Sequence, residues 1–429
     1  AIFFLSFLMF ILVSGNSIQA KTDTQSQTYK NLMGVGINSV HEWSDCNGVA
    51  KEFPAAGRVE EYSQVLSDGW RHLSFVICAK DHFPNDVLDE KWVRTKLEAI
   101  RGQIRELKKQ FPDRTFTITF KGYRYVGGWE AGGSGTILYQ RIIKSKKMQA
   151  QYVGWWKLAA EIFKNEKSVA FWLMNEPDYR YKGGLEDYLQ LVTRAVDGIR
   201  EVSPKRWIIV NGTDGSVVGR IKTVFEMMQP INRDNIIYGF HYYGNGKIKW
   251  GDFTWLRKNV ATNTSSWDNH LTKSLNEITS FKGFYSVPVM LTEVGLIGTS
   301  KYVYTGVKNK ERARFFRDII LPWVKSCECG LTWWALGDDM TPYVRKRDKS
   351  LGSPEYDRYK IWQPPKNQPL IRDELLMKAL GLNDYLEFKK KKVKELQTLL
   401  NGQGHDAGIA DGVLGKKTRV AMEEWYKSQ

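Results

Sequence analysis

The sequence predicts a (β/α)8 barrel followed by a small all-α domain of three helices. The first observation is that short apolar runs with strand character recur at intervals of roughly forty residues, with helical patterns between them. The second is size, because about 315 residues is normal for one such barrel. The third is a short C-terminal stretch in which only helical patterns and a tight turn remain.

Eight apolar runs supply the predicted barrel strands. Between the fourth and the fifth, Leu185–Val202 repeats apolar residues at helical spacing, and Pro204 ends this helix. A doubly wound open sheet is the alternative fold, but the sequence lacks its typical Gly-rich phosphate loop. The predicted strands are Leu32–Asn38, His72–Ile77, Thr115–Phe120, Val169–Asn175, Arg206–Val210, Ile236–His241, Val287–Thr292 and Gly330–Trp334.

Changes in composition divide the chain into four predicted parts. Residues 1–20 form a partial signal peptide and residues 21–345 the barrel domain. From Tyr343 the sequence becomes polar, charged and Pro-rich, so residues 346–388 are expected to hold the last barrel loop and helix and a linker. Residues 389–429 form the helical domain.

The N-terminal segment indicates export. Residues Ala1 to Val13 are apolar except for Ser6, and small and polar residues follow up to Ala20. This run is shorter than the about 20 apolar residues that span a bilayer, and it is typical of a secretory signal cleaved after Ala20. We therefore expect a secreted or periplasmic protein, with an uncleaved anchor as the alternative.

Export would place the four cysteines in an oxidising compartment. Cys46 and Cys78 are a candidate disulfide, with simple buried thiols as the alternative. Cys327 and Cys329 are expected to be too close in sequence to bridge if the chain between them is extended. The spacing of Cys and His residues matches no zinc site, and no metal or organic cofactor is implied.

Charge and aromatic content narrow the range of partners. The net charge of +16 predicts a generally basic exterior, or attraction to anionic envelope polymers or lipid headgroups. Nucleic-acid binding is not expected, because the sequence contains no recognition motif for it. The 16 Trp and 20 Tyr are many, and a surplus of flat rings is typical of carbohydrate sites. We expect a monomer.

Two β-favouring runs end in a glutamate. Phe171–Pro177 contains Glu176, and Val287–Gly295 contains Glu293. Barrel enzymes carry their chemistry at the C-terminal ends of the strands, so both carboxylates are expected on one rim. An acid that faces a nucleophile or base across a sugar bond is what glycoside hydrolysis requires.

These runs and two further motifs resemble glycoside hydrolase family 5, the large cellulase and mannanase family. The resemblance spans residues 30–345 and implies a retaining enzyme without a cofactor. It also implies that Glu176 is the general acid/base and Glu293 the nucleophile. The matching residues are Asn175-Glu176-Pro177 after the fourth strand, His241-x-Tyr243 on the sixth, Thr292-Glu293-x-Gly295 on the seventh and Trp334 on the eighth.

The resemblance assigns supporting roles to other residues of the rim. Asn175 is expected to bind the sugar 2-hydroxyl, a contact that strengthens in the transition state. Tyr243 is expected to orient Glu293, and His241 to join the same hydrogen-bond network. Trp334 would form the floor of the subsite that holds the cleaved sugar. Loop aromatics expected to stack on the glycan include Trp43 and Trp129.

The chain departs from the family pattern on two strands. Strand two usually ends with an arginine that contacts the nucleophile, whereas here Ser74 falls near that place and Arg71 would need a shifted register. Strand three often carries a histidine, and Lys121 is the candidate to replace its charge. These changes predict a divergent subfamily with an intact carboxylate pair.

The C-terminal unit resembles a small peptidoglycan-binding domain. This resemblance implies attachment to cell-wall material, with a purely structural appendage or a domain retuned to another glycan as alternatives. The matching residues are Val393, Leu396, Gln397 and Leu400 on one helix, the string Asp411-Gly412-Val413-Leu414-Gly415-x-x-Thr418, and Ala421 and Trp425 on a second helix.

The resulting hypothesis is a retaining endo-β-glycosidase that acts on a β-1,4-glucan or a related β-linked polysaccharide and is held at the wall by its C-terminal domain. Within the same class, a β-mannanase, an exo-β-glucosidase and a transglycosylase stay open. A different class is a catalytically weak, wall-tethered glycan-binding protein whose site was spoiled by the changes on strands two and three. A third hypothesis is that the barrel cuts the wall glycan itself.

Overall fold

The computed structural model describes residues 26–39, 59–78, 89–121, 142–177, 184–212, 223–242, 265–295, 313–336, 343–344, 371–372 and 374–428. Eight strands pair in sequence order, every pair is parallel, and the eighth strand closes on the first. The predicted (β/α)8 barrel is therefore confirmed. The strands are β1 (Val35–Ser39), β2 (His72–Cys78), β3 (Thr115–Lys121), β4 (Val169–Leu173), β5 (Ile208–Asn211), β6 (Ile236–Tyr242), β7 (Val289–Val294) and β8 (Gly330–Leu336).

Helices alternate with the strands and bury their apolar faces against the outside of the barrel. Several begin at side-chain caps. Asp89, for example, accepts a hydrogen bond from the Trp92 backbone N–H at 3.0 Å, which satisfies one of the free N–H groups of the first turn. The barrel helices with described bounds are Val59–Ser67, Glu90–Gln110, Lys146–Ile162, Gly184–Val202, Val224–Met227, Ser265–Tyr285 and Leu321–Cys327, the last preceded by the π-helical turn Phe316–Ile320.

The predicted first strand begins later than expected. Residues 26–32 are helical, so Leu32 is not part of β1. Its side chain instead packs inside the barrel against apolar residues of β4 to β7, which include Trp172 and Ile209. The chain passes so close to β8 that a Cβ at Gly330 would lie 2.2 Å from the Leu32 carbonyl oxygen. Periodicity alone does not separate a short apolar strand from an apolar helix that closes a barrel.

The barrel interior is polar where β1, β2 and β8 meet. His72 is fully buried, its Nδ1 lies 2.9 Å from the Asn31 carbonyl oxygen, and its Nε2 lies 2.9 Å from Thr332 Oγ1. The ring fills the space beside Gly36, where a Cβ would fall 2.0 Å from Nε2. Burial lowers the pKa of His72 from 6.5 to about 4, so the ring is neutral. Its contacts with Asn31 and Thr332 form a polar clasp that connects the N-terminal helix to β2 and β8.

Three helices form the described C-terminal part: Glu374–Ala379, Leu382–Gly402 and Lys416–Ser428. The first contributes Leu376 and Met377 to the same core as the barrel helices. The second runs through residue 389, where the sequence placed the start of the helical domain. Among the helices that the structure describes, none combines the length and the hydropathy needed to cross a bilayer.

Gln397 holds the C-terminal unit together. Its Nε2, which carries two hydrogens, lies 3.0–3.1 Å from three acceptors, Asp411 Oδ1, the Val413 carbonyl and Thr418 Oγ1, and its Oε1 accepts from the Gly412 backbone N–H at 2.8 Å. Gly412 has a φ of 82°, a conformation that glycine adopts without strain. One buried amide thus fixes the turn that the Asp411–Gly415 motif predicted.

Cys327 and Cys329 form a disulfide, which the sequence analysis expected only an extended chain to prevent. The chain between them is not extended. Glu328 adopts a left-handed conformation with a φ of 51°, which turns the end of the helix back and leaves the two Cα atoms 5.1 Å apart. Cys46 lies outside the described residues, so the proposed Cys46–Cys78 pair stays a prediction.

Candidate active site

Four of the predicted site residues meet at the C-terminal rim of the barrel. Asn175 and Glu176 follow β4, His241 lies near the end of β6, and Glu293 lies near the end of β7. Trp334 falls on β8, but its side chain is outside the described part of the molecule. Tyr243, Trp43 and Trp129 also lie outside the described residues, so their roles stay predictions.

The chain leaves the barrel ladder abruptly before Glu176. β4 ends at Leu173, two residues earlier than the sequence predicted. Met174 and Glu176 then adopt left-handed conformations with φ values of 42° and 49°. Each such conformation costs a non-glycine residue on the order of 1–3 kcal/mol, and this kind of strain is found chiefly at functional sites. These two conformations change the direction of the backbone after β4, so that Glu176 lies on the rim and not in the strand.

An irregularity in β7 brings Glu293 into the site. The pairing register shifts between β6 and β7 and again between β7 and β8, and His241 pairs with Glu293. In a regular strand, neighbouring side chains point to opposite faces, whereas a bulge redirects one of them. Thr292 and Glu293 are both buried, and both contact residues of the barrel interior.

His241 lies between the two glutamates. Its Nδ1 is 3.0 Å from Glu176 Oε1 and 3.4 Å from Glu293 Oε2. One carboxylate oxygen from each glutamate and a nitrogen of His241 all lie within 4.8 Å of one another. The Glu176 side chain is 18% exposed and that of Glu293 only 3%, so the first is the carboxyl group open to solvent.

Asn175 has a fully buried side chain whose amide lacks hydrogen-bond partners among the described residues. Neither Oδ1 nor Nδ2 has a hydrogen-bond partner among the described residues, and the residue is fully buried. A buried amide without partners is costly, on the order of 1–3 kcal/mol for each unsatisfied group. A molecule that hydrogen-bonds such an amide removes this energetic cost. Asn175 directly precedes Glu176 in the chain.

One residue of the network was missed by the sequence analysis. Asn211 is the last residue of β5 and is fully buried. Its Nδ2 lies 3.1 Å from His241 Nε2, and its Oδ1 lies 3.2 Å from Thr292 Oγ1. The available signal was its position: it is a polar residue at the end of an apolar run, as Asn175 is at the end of the predicted fourth strand.

On strand two, where the chain departs from the family pattern, the structure shows the positions of Ser74 and Arg71. Ser74 is buried on β2, where its Oγ accepts a hydrogen bond from Thr117 Oγ1 of β3. Arg71 precedes β2 and is exposed, and its backbone N–H donates to the Val35 carbonyl at the start of β1. The register is therefore not shifted, and Arg71 belongs to the end of the barrel opposite Glu293. The side chain of Lys121 is outside the described part.

The arrangement has the components of acid/base and nucleophilic chemistry. One carboxyl group is partly exposed and can exchange a proton with water, and the other is buried beside an imidazole N–H. Two carboxylates and an imidazole are also a donor set that suits a divalent cation. A parallel barrel that brings two carboxyl groups together at this rim is typical of enzymes that cleave glycosidic bonds.

Comparison with known proteins gives the same class. Residues 136–340, which include all four motifs of the rim, match the sequence model of the family described as cellulase (glycosyl hydrolase family 5). The protein is a cellulase-like glycoside hydrolase. No curated protein matches the chain in sequence.

Solved structures share the barrel at low sequence identity. The endoglucanase Cel5A from Thermotoga maritima, solved with mannotriose and with cellobiose, matches with a TM-score of 0.56 and 16% identity over 82% of this chain and 99% of its own. A cellulose synthase subunit Z from Clostridioides difficile matches with a TM-score of 0.54 and 16% identity over 81% and 99%. A hyperthermophilic endo-β-1,4-glucanase matches with a TM-score of 0.54 and 18% identity over 83% and 99%. These likenesses establish a shared fold.

Proposed function

We propose that this protein is a retaining endo-β-glycosidase that hydrolyses a β-1,4-glucan or a closely related β-linked polysaccharide. The observation that supports the retaining mechanism is the approach of Glu176 and Glu293 to within 4.8 Å. Retaining enzymes hold their carboxyl groups about 5–5.5 Å apart for direct attack, whereas inverting enzymes leave about 6.5–9.5 Å for a water molecule.

The reaction follows from this geometry in two displacements. Glu176 gives its proton to the glycosidic oxygen while Glu293 attacks the anomeric carbon, which releases the leaving sugar and forms a glycosyl ester. Glu176, now ionised, then takes a proton from water, which attacks the anomeric carbon and frees Glu293. Because Glu176 is the more exposed of the two, it is suited to the steps that exchange protons with water.

The hydrogen bonds of His241 support an active enzyme over a binding protein that lost its chemistry. A weakened site would leave the nucleophile without a donor after the loss of the strand-two arginine. His241 Nδ1 lies 3.4 Å from Glu293 Oε2, so an N–H at this nitrogen is placed to support that carboxylate. The unpaired Asn175 amide, placed to meet a substrate hydroxyl, argues in the same direction.

The sugar and the mode of attack belong to the proposal. Structures with the same fold carry mannotriose and cellobiose, so gluco- and manno-configured β-1,4 chains are the first substrates to test. A β-mannanase, an exo-β-glucosidase and a transglycosylase are the alternatives within the class. We further propose that the protein is secreted or periplasmic, which rests on the apolar N-terminal run that precedes Ala20.

We also propose that the C-terminal helices bind cell-wall material. The support is the motif Asp411-Gly412-x-x-Gly415-x-x-Thr418, together with the Gln397 contacts that hold this turn in one conformation. Lys390–Lys392 and Lys416–Lys417 add positive charge to the same unit, which suits an anionic polymer.

The test is a hydrolysis screen over β-glucans, mannans, xylans and peptidoglycan, with product sizes and the anomeric configuration of the first product read by proton NMR. We expect β-configured oligosaccharides from a β-1,4-glucan or mannan. Glu176→Gln and Glu293→Gln serve as controls and should each abolish turnover without unfolding the barrel. A chelator arm should leave the rate unchanged. Net inversion, or turnover that survives in both variants, would contradict the proposal.

A further inference from the structure

Asn211 joins three strands of the barrel through one buried amide. It ends β5, its Nδ2 meets His241 Nε2 on β6 at 3.1 Å, and its Oδ1 meets Thr292 Oγ1 on β7 at 3.2 Å. Thr292 directly precedes Glu293. The side chain therefore contacts no catalytic carboxylate itself, yet it holds a neighbour of each.

The hydrogen bonds around His241 determine which ring nitrogen carries the proton. Nδ1 faces the oxygens of Glu176 and Glu293. An N–H on Nδ1 can donate toward both carboxyl groups, which favours the tautomer with the proton on Nδ1. Nε2 then has to accept a hydrogen bond, and the Asn211 amide N–H supplies one.

The contacts of Asn211 are compatible with the orientation that this requires. With Nδ2 directed to His241, Oδ1 lies 3.2 Å from Thr292 Oγ1, whose hydrogen can go either to this oxygen or to the Phe240 carbonyl at 3.3 Å. Gly239 makes room for the side chain, because a Cβ there would lie 2.2 Å from Asn211 Oδ1. The backbone is fixed as well, since the Tyr188 hydroxyl donates to the Asn211 carbonyl at 2.9 Å.

We propose that Asn211 is a positioning residue that holds His241 in the tautomer with the proton on Nδ1, so that a single N–H is directed toward Glu176 and Glu293. This inference rests on the proposed glycosidase function for its catalytic consequence only. A neutral donor stabilises the ionised nucleophile without placing a full positive charge beside the acid. An imidazolium at the same place would favour the ionised form of Glu176 and so work against its role as a proton donor.

The test has a readout that does not depend on catalysis. In protein labelled with ¹⁵N-histidine, with the His241 signals assigned by comparison with His241→Asn, we expect a protonated Nδ1 and an unprotonated Nε2 in the wild type. In Asn211→Asp, the carboxylate requires a donor from Nε2, so both ring nitrogens should be protonated. A wild-type His241 with its proton on Nε2 would overturn the inference, whatever the enzyme hydrolyses.

Kinetic measurements on Asn211 variants distinguish a role in positioning His241 from a role in stability alone. Asn211→Leu should lower kcat by about tenfold to a hundredfold with KM little changed, since a buried nitrogen loses its partner. In Asn211→Asp, the basic limb of the pH profile should move to lower pH. The matched control Tyr238→Phe removes the hydrogen bonds of a buried tyrosine to the Ile231 backbone, in the core outside the barrel, and it should lower stability while leaving kcat and the pH profile in place.

The outcomes distinguish the inference from the proposed function. A wild type that hydrolyses β-glycan, with Asn211→Leu and Asn211→Asp giving the same kcat and overlapping pH profiles, would contradict the inference alone. A wild type that hydrolyses no β-glycoside, with the expected His241 tautomer, would contradict the proposed function and support the network.

Discussion

The Glu176 and Glu293 side chains differ in ways that suit the roles proposed for them. Glu176 sits on a strained, partly exposed backbone turn, and Glu293 sits buried in an irregular strand. A nucleophile shielded from bulk water forms an ester with the sugar and excludes competing attack, while an exposed acid/base recovers its proton quickly. This difference in exposure supports the roles proposed for the two glutamates.

Azide should reveal the two roles separately. In Glu176→Ala, an activated aryl β-glycoside still loads Glu293, and azide then attacks the ester to give a β-glycosyl azide with retained configuration. In Glu293→Ala, azide occupies the space of the lost carboxylate and attacks the substrate directly, which gives the α-glycosyl azide. The measurement is proton NMR of the products. The same azide anomer from both variants would contradict the assignment.

Asn175 should contribute to catalysis but not to stability. Because its amide has no partner among the described residues, Asn175→Ala should leave the melting temperature unchanged or raise it. With an aryl β-glycoside, kcat/KM should fall by roughly a hundredfold or more, since the contact to the 2-hydroxyl strengthens in the transition state. The control is the 2-deoxy substrate, on which wild type and variant should act at nearly equal rates. A full loss on both substrates would rule out this role.

The sequence predicted the site residues that belong to short motifs at strand ends. It did not predict Asn211, whose role depends on contacts with residues distant in sequence. Asn175, Glu176, His241 and Glu293 lie in short strings that end strands, so their position on the rim followed from the order of the strands. Asn211 has no such string, and its importance depends on its contacts with Thr292 and His241, which are set by packing.

Among the elements of the fold, the polar clasp around His72 links the N-terminal helix, β2 and β8. Strand order and helix alternation were predictable because a parallel barrel repeats one local pattern. The helix at residues 26–32 was not, because Leu32 is buried by contacts with β4 to β7 that lie far away in sequence. The disulfide between Cys327 and Cys329 depends likewise on one residue, Glu328, with a positive φ.

The clasp should make stability depend on pH. The unfolded chain protonates His72 near pH 6.5, while the folded protein resists protonation down to about 4, because burial lowers the pKa of this histidine. The free energy of unfolding should therefore fall by ~3 kcal/mol as the pH decreases from 6.5 to about 4. This contribution to stability is fully present above pH 6.5.

Denaturant unfolding of the wild type and of His72→Gln between pH 7 and pH 4 measures this effect. The variant should be less stable at pH 7 and should lose less on acidification. The matched control is His405→Gln in the C-terminal unit, which should reproduce the wild-type pH dependence. Equal slopes for the wild type and His72→Gln would show that the clasp does not resist protonation.

The whole molecule combines a hydrolytic barrel with a helical unit joined to it by one long helix. Leu382–Gly402 starts against the barrel core with Leu382 and ends inside the C-terminal unit with Leu400. The two parts therefore share a continuous element. A domain boundary at residue 389, drawn from the change in composition, falls inside it.

Wall binding should depend on Gln397 without affecting the chemistry of the barrel. Gln397→Leu removes the donors and the acceptor that hold the Asp411–Val413 turn, so binding to insoluble peptidoglycan in a sedimentation assay should fall. Hydrolysis of a soluble β-glycan should stay at the wild-type rate. Lys427→Gln on the last helix is the control and should bind as the wild type does. Equal sedimentation of the wild type and Gln397→Leu would contradict the role given to this turn.

We propose that Glu293 forms a covalent bond to the sugar while Glu176 moves the proton. The most direct measurement is labelling with a 2-deoxy-2-fluoro β-glycosyl fluoride, which loads the nucleophile and slows its release, followed by mass spectrometry of the intact protein and its peptides. We predict one added glycosyl group per chain, located on Glu293, and no label in Glu293→Gln. A label on Glu176, or an unlabelled wild type that inverts its substrate, would contradict the account.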